Sequence, residues 1–591
     1  MAAAPVSSAA AAAAADSEEE DPIWTDLVDW LARFPGGTGV EEKVRLIHNQ
    51  AGRGLVARGQ QRVSALGNGR RDHIALHAGR NSSKPRPLPA QPGSVLISIP
   101  NAALLNLRTL RPLYPASFAV LNAAQWISLH VALQFRRHLE GDAAAAAAAA
   151  VKPPLARNVS RGAMTKASFG DETTAADDAS PLKTKTKPKT ATKQRATTPQ
   201  DKFWPFLASL PRAFPTMPLT WSLSSKPAAT LQADFAIPAS DASLAALRAK
   251  EEEGAHKRMQ QQRRRRRRYE LLMERMPAAA RRKADEVEKR FAADWHAVRK
   301  LWADEGNTVD GDLTFFDFVL GWQNVNTRCI YFDIDGKREN NLTLCPVIDM
   351  INHSPGRTTK PDPRLSSLTF CAPAANSPDP ALHDGDELSF QYGSHEDAFL
   401  LAEYGFVVGE ENLYNAVEVD RFVEALFEAQ GDEGELKMGV LKDEGYWGDM
   451  TLQATPPPSP SWRVLVSLRL LHHRLAAGST ASLSASALAP WYHVVSGAAE
   501  TISPSNETKV RASWRAIAEA VAREAERGAG RCDELLQQWE KEFKEGSGDE
   551  EGEEEEEEEE GLLASLRMVR TVWTEEERIA RAVLAAPQTT S

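Results

Sequence analysis

Three short stretches between positions 313 and 408 hold the residues best placed to do chemistry. They are Asn324-Val325-Asn326-Thr327-Arg328; Pro346 to Ser354, which includes Asp349, Asn352 and His353; and Glu387 to Gly393, which carries Tyr392 and is followed by Tyr404-Gly405-Phe406. Asn352-His353 near Asp349 suggests a metal or hydrolytic site. One histidine with one carboxylate is too few ligands for zinc, and no second His or Cys lies at ligand spacing. No serine or cysteine sits in a nucleophile elbow. Taken singly, Asn-His reads as a structural pair and Tyr-Gly as a turn at a strand end.

The elements that must position these residues are legible in outline. Trp24, Leu27, Val28 and Leu31 fall at helical spacing. Val95 to Pro100 is a short apolar strand stopped by proline, and residues 67–93 before it, rich in Gly, Pro, Arg and Ser, read as a loop. Asn101 to Leu139 is mostly helical, and Asp241 to Trp302 is helical with a break at Pro277. Residues 313–408 switch to strand-like pieces and turns. After Asn412 the pattern is helical again, with Trp462, Leu465, Val466, Leu470 and Leu471 on one face.

Composition bounds the rest. The chain has 591 residues, enough for two or three domains. Its formal charge of −11 argues against a general nucleic-acid binder, and much of that charge sits in Glu553 to Glu560, which reads as a disordered acidic linker. Residues 1–20 and 141–200 lack the apolar surface to offset ordering entropy and are expected to be disordered. The six arginines Arg263 to Arg268 read as a nuclear-import signal, a patch for an acidic partner, or a solvated helix flank. The four cysteines form no CxxC pair, no apolar run reaches the roughly 18 residues that span a bilayer, and the N-terminus lacks a basic n-region. A soluble intracellular protein, cytoplasmic or nuclear, is expected.

The order of the stretches is more specific than any one of them. Together they resemble the SET domain of the Rubisco large-subunit methyltransferase-like family of protein lysine methyltransferases. The landmarks are Gly52-Arg53-Gly54-Leu55, Pro205-Phe206-Leu207-Ala208-Ser209-Leu210-Pro211, Val325 to Arg328, Asp349 to Ser354, Phe390 to Gly393, and Leu400 to Val407. The resemblance implies an α+β fold: a SET domain of short β-sheets with a pseudoknot, split into 24–100 and 313–408 by a helical insertion (101–312). An all-helical C-terminal lobe over 409–591 would follow, interrupted by an acidic linker at 549–560.

It also implies S-adenosylmethionine as cofactor and a protein substrate, such as a ribosomal protein or translation factor, with no membrane or direct nucleic-acid partner and a monomeric state. Gly52, Arg53 and Gly54 would line the cofactor, Arg328 would pair with its carboxylate, and Asn352, His353 and Tyr392 would contact it. Tyr392 and Tyr404 would be catalytic, walling a lysine channel, and Asp349 would steer the incoming cation or cap a turn. A lysine with a reference pKa of about 10.4 must lose its proton, roughly 4–5 kcal/mol at pH 7. An apolar channel facing a sulfonium lowers that pKa by desolvation and like-charge repulsion. Where the family often has a third channel tyrosine, this chain has Leu368 or Phe370, and no cysteine-rich zinc segment follows Phe406. Protein-histidine methylation and an inactive SET-fold binding module are the alternatives.

Overall fold

The computed structural model describes residues 21–35, 40, 44–49, 52–57, 95–150, 202–252, 256–307, 313–334, 336, 339–355, 362–363, 367–372, 382–383, 385–474, 485–546 and 553–586. The expectations for 1–20, 67–93 and 151–200 lie outside them.

Helix α1 (Pro22–Ala32) begins with Pro22 in its first turn and the Asp21 carboxylate accepting from the Ile23 N–H, and it buries Trp24, Leu27, Val28 and Leu31. A hairpin of β1 (Val44–Asn49) and β2 (Gly52–Ala57) follows, then β3 (Val95–Pro100). The later half of the chain supplies short hairpin strands β4 (Ile330–Tyr331) and β5 (Leu342–Thr343), then β6 (Asn352–His353), β7 (Asp362–Pro363), β8 (Ser367–Cys371) and β9 (Ser389–Phe390). Strand β3 pairs antiparallel with β8, Ile97 opposite Phe370 and Ile99 opposite Leu368, in a sheet of order β3-β8-β7. The halves separated by the insertion therefore share one sheet, and a bridge from Leu105 to Leu344 ties the start of the insertion to the second half.

The insertion is helical: α2 (Ala123–Ala150), α3 (Trp204–Ala208), α4 (Pro218–Ser225), α5 (Ala242–Glu252), α6 (His256–Arg275) and α7 (Ala278–Asp304) stand out. The break at Pro277 falls between α6 and α7. Residues 141–150, expected to be disordered, continue α2, as alanine's high helix propensity favours. Helix α7 buries Val287, Phe291, Trp295, Val298 and Trp302 at helical spacing. Of these, Phe291 and Trp295 meet Phe315, Phe318 and Trp322 of α8 (Phe315–Arg328). Each such fully buried ring contributes about 1.5–3 kcal/mol of apolar transfer.

Two expectations about the C-terminal lobe need correction. It is not entirely helical, because β10 (Ala416–Glu418), β11 (Thr451–Gln453) and β12 (Ser459–Pro460) form an antiparallel sheet. These runs are too short to show a period of two. Nor is the acidic run a disordered linker, since Glu553 to Glu560 form the first turns of α13 (Glu553–Ala585), which packs on α12 (Pro504–Gly546). The reason is an internal counter-charge. Arg265 bonds Glu558 at 2.5 Å, and Arg268 lies 3.6 Å from Glu559 and 3.5 Å from Glu542. Arg266 pairs with Glu251, and Arg267 with Glu270 and Glu274. The arginine run is thus helical and largely engaged within the molecule.

Candidate active site

Helix α8 delivers the first site residues. Thr314 and Asp317 cap it reciprocally, Thr314 Oγ accepting from the Asp317 N–H and the Asp317 carboxylate accepting from the Thr314 N–H. Gly321 lets it lie against α2, for a Cβ there would stand 2.4 Å from the Ser128 carbonyl oxygen. Its last turn presents Asn326 and Arg328. The Asn326 amide donates to the Glu403 carbonyl (2.9 Å) and carboxylate (3.1 Å), holding the end of α9 (Asp397–Tyr404). Arg328 Nη1 donates to the Asp349 carbonyl at 2.9 Å and lies 3.3 Å from its carboxylate.

That pair corrects the expectation for Asp349. Its side chain is 1% exposed and engaged by Arg328, so it is no steering charge at a channel mouth. The backbone just before it is strained. Val347 has φ 69° and ψ −48°, and the Ile348 N–H donates to the Pro346 carbonyl at 2.8 Å, a γ-turn of the rarer hand at a β-branched residue. Val347, Ile348, Met350 and Ile351 are all buried and hold the turn in place.

Strand β6 pairs in parallel with β9, Asn352 opposite Ser389 and His353 opposite Phe390. The Leu388 N–H donates to the Leu55 carbonyl at 2.7 Å, so β2 closes on the same crossing. Gly52, Arg53 and Gly54 enter it as the strand leading to Leu55, opposite Asn49, His48 and Ile47. Three distant stretches thereby meet. Glu387 accepts from the Asn352 amide at 2.7 Å and orients it.

The Tyr392 backbone N–H donates to His353 Nδ1 at 3.1 Å, which places the ring proton on Nε2. Burial, reinforced by His395 and opposed by Asp397, holds the His353 pKa below its usual value, so the ring is neutral. Its Nε2–H is buried without an acceptor among the described residues, as is Arg328 Nε. An orphaned buried donor costs about 1–3 kcal/mol, and both donors fit a polar ligand.

Around them stands an aromatic enclosure. Tyr392 lies 5.2 Å from His353 and 5.4 Å from Tyr404 by ring centroids, and Phe406 lies 5.8 Å from His353 and 6.0 Å from Tyr404. The Tyr392 hydroxyl donates to the Ile351 carbonyl at 2.8 Å, leaving its oxygen free to accept. The Tyr404 hydroxyl has no hydrogen bond among the described residues. Burial raises the pKa of both phenols, so both stay protonated and neither is a base. Burial likewise pushes the Cys329 and Cys345 thiols up, away from nucleophilic thiolate. Leu368 and Phe370 are buried in β8, with Phe370 6.2 Å from Phe390, backing the crossing with apolar surface.

Sequence reasoning missed Asn326, Glu403, Glu387 and Phe406 as site residues. Each sits beside a motif residue, but its partner is distant in the chain, so only the fold reveals the pairing.

No protein-family model matches the chain. It is 29% identical over 197 residues to ribosomal lysine N-methyltransferase set11 of Schizosaccharomyces pombe, covering 33% of this chain and 45% of that protein. It is 26% identical over 319 residues to SET domain-containing protein 4 of Mus musculus, covering 52% and 63%. The chain resembles SET-domain lysine methyltransferases. It spans less than two thirds of the length of these SET relatives. Among solved structures, Rubisco LSMT bound to sinefungin and monomethyllysine matches over 95% of this chain and 92% of that one, with 13% identity and a TM-score of 0.48. A match that loose adds nothing to the strand pairings that define the SET-like crossing. Among the described residues no group of three or more His, Cys, Asp or Glu could hold a metal ion, and no helix is long and apolar enough to cross a membrane.

Proposed function

We propose that this protein is an S-adenosylmethionine-dependent protein-lysine N-methyltransferase acting on a non-histone protein, most simply a ribosomal protein. The observation that carries the reading is the convergence of His353, Arg328, Tyr392, Tyr404 and Phe406 at the β6–β9 crossing, with two buried donors left for a ligand. The ribosomal choice follows the similarity to the ribosomal lysine N-methyltransferase of Schizosaccharomyces pombe.

His353 Nε2–H and Arg328 Nε would hold the polar groups of the cofactor, with Asn352, oriented by Glu387, beside them. Gly52 to Gly54 would line it through the backbone. When bound, S-adenosylmethionine supplies a methyl group on a sulfonium. Tyr392, Tyr404 and Phe406 would exclude water from the substrate amine, which favours its neutral form. With its proton held by Ile351, the Tyr392 oxygen would accept from the amine N–H and aim the nitrogen lone pair, so the chain contributes positioning and desolvation rather than a base.

The test is to incubate the purified protein with methyl-labelled cofactor and ribosomal protein extract, then sequence the labelled band. The reading expects label on a lysine ε-amine, lost when that lysine becomes arginine. Label on histidine, or none from a protein that binds the cofactor, contradicts it.

A further inference from the structure

Away from the aromatic enclosure, a cavity lies where the insertion, the SET-like core and the C-terminal lobe meet. It holds about 640 Å³ and is lined from α7, the residue before α9, β10, α10 (Asp420–Glu428), β11, α12 and α13. Nothing in the proposed methyl transfer uses it. Among its lining residues, Val417, Val521 and Trp573 are apolar and buried. Trp573 is fixed by its indole N–H, which donates to the Arg275 carbonyl at 2.8 Å.

The charges in the wall do not balance. Three cations face the cavity, and each is already matched. Arg282 bonds Glu418, Lys283 lies 2.9 Å from Glu396 and 3.6 Å from Glu418, and Arg421 lies 2.6 Å from Glu524. Four further carboxylates, Asp420, Glu424, Asp449 and Glu576, line the same space with no cation bonded to them among the described residues. Asp420 accepts from the Met450 N–H at 3.2 Å. Glu576 differs from the other three. It lines both this cavity and a small neighbouring one, and its carboxyl has no hydrogen-bond partner among the described residues. The residue is part-exposed, and desolvation at the carboxyl, with Glu524 next, pushes its pKa up to about 8 against the opposing pull of Arg421 and Arg282, Glu396 adding a smaller push.

A carboxyl without a partner, lining a cavity that Val417, Val521 and the Trp573 indole also line, fits a cation carried on an apolar stem. We propose that this cavity binds an alkyl guanidinium or alkyl ammonium group, with Glu576 as its counter-ion and Trp573, Val417 and Val521 around its stem. Such a group occurs on arginine and lysine side chains of a polypeptide and on free polyamines. Binding a cation favours ionised Glu576, so it releases a proton near neutral pH.

Calorimetry on the full chain tests this, using agmatine and acetyl-Gly-Arg-Gly-amide as probes in two buffers of different ionisation enthalpy. Both should bind the wild-type protein with release approaching one proton at about pH 7, and affinity should rise toward about pH 9 as Glu576 ionises. Glu576→Gln mimics the protonated carboxyl that the empty cavity already favours, so it should keep the wild-type melting temperature. It should weaken both probes at least about tenfold and abolish the proton release. Binding of agmatine alone assigns the site to free amines, and binding of the peptide assigns it to a polypeptide. No heat from either probe, or equal affinity in Glu576→Gln, overturns the proposal. Methyl transfer enters none of these measurements, so the outcome is independent of the proposed enzymatic function.

Discussion

At the residue scale, the arrangement separates groups that hold from groups that act. Arg328 is anchored on Asp349 by Nη1 and keeps Nε for a ligand. The Tyr392 hydroxyl is aimed by the Ile351 carbonyl. Tyr392→Phe should therefore lower turnover by about a hundredfold while moving cofactor affinity much less, as loss of one oriented polar group does. Single-turnover rates beside calorimetry separate the two, and equal losses would remove Tyr392 from the amine. His353, His395 and His472 all have pKa values lowered first by burial. A folded pKa below the unfolded value of about 6.5 means that the unfolded chain takes up protons first. Stability is then complete above that value and falls as pH drops through the folded pKa values. Melting curves from pH 7.5 to 5 should show the loss, and a flat profile would contradict it. The family resemblance grouped His353, Tyr392 and Tyr404, which the fold brings together, and left Asp349 open between steering a cation and capping a turn, where the fold pairs it with Arg328. A lone carboxylate gives no sign of which cation, near or far, will claim it.

At the element scale, close approaches set the position of the aromatic enclosure. Gly405 ends α9 at φ 74°, directly after Tyr404, and a Cβ there would lie 2.9 Å from both Met217 Sδ and Thr216 Oγ1. Gly405→Ala should destabilise the protein by about 1–3 kcal/mol and shift Tyr404. Its kcat/KM should fall more than its cofactor affinity, measured by initial rates and calorimetry on the folded fraction. Helices α8 and α9 stand where strand-like pieces and turns were expected, whereas α1, α6 and α7 could be read from apolar spacing and from Pro277, because local periodicity encodes them. The helical start of α13 could not. An eight-glutamate run repels itself in isolation, and among the described residues Arg265, Arg268 and Tyr269 across the fold offset that repulsion. Glu558 also helps push the Tyr269 phenol up to about 12, second to burial. These pairs are partly exposed, so neutralising Glu558 and Glu559 to glutamine should lower stability by about 1 kcal/mol or less. High salt should erase the difference, which denaturant titration at two ionic strengths can read. A salt-independent loss would point to packing instead.

At the scale of the whole molecule, the chain returns on itself twice. Strand β3 finds β8 across the insertion, and β6 finds β9 across a long connection. Neither pairing is encoded in any local window, and the family resemblance rather than periodicity anticipated the crossing. A third tie locks the C-terminal lobe to the site. The buried Asp397 carboxylate accepts from the Val408 and Gly409 backbone N–H groups and from the Asn412 and Asn415 amides, and Asn415 also donates to Glu575 of α13 at 3.1 Å. Tyr404, on the helix that Asp397 begins, is thus positioned by the lobe as well as by the core. The central claim is that this convergence makes a cofactor cradle, and His353 gives the most direct access to it. In His353→Asn the side-chain oxygen can still accept from the Tyr392 N–H, but the Nε2–H is gone. Titrating S-adenosylmethionine into both proteins, with melting temperatures alongside, should show one site in the wild type and at least about tenfold weaker binding in the folded variant. A folded wild-type protein that takes up no S-adenosylmethionine, or a variant that binds it equally well, would contradict the account.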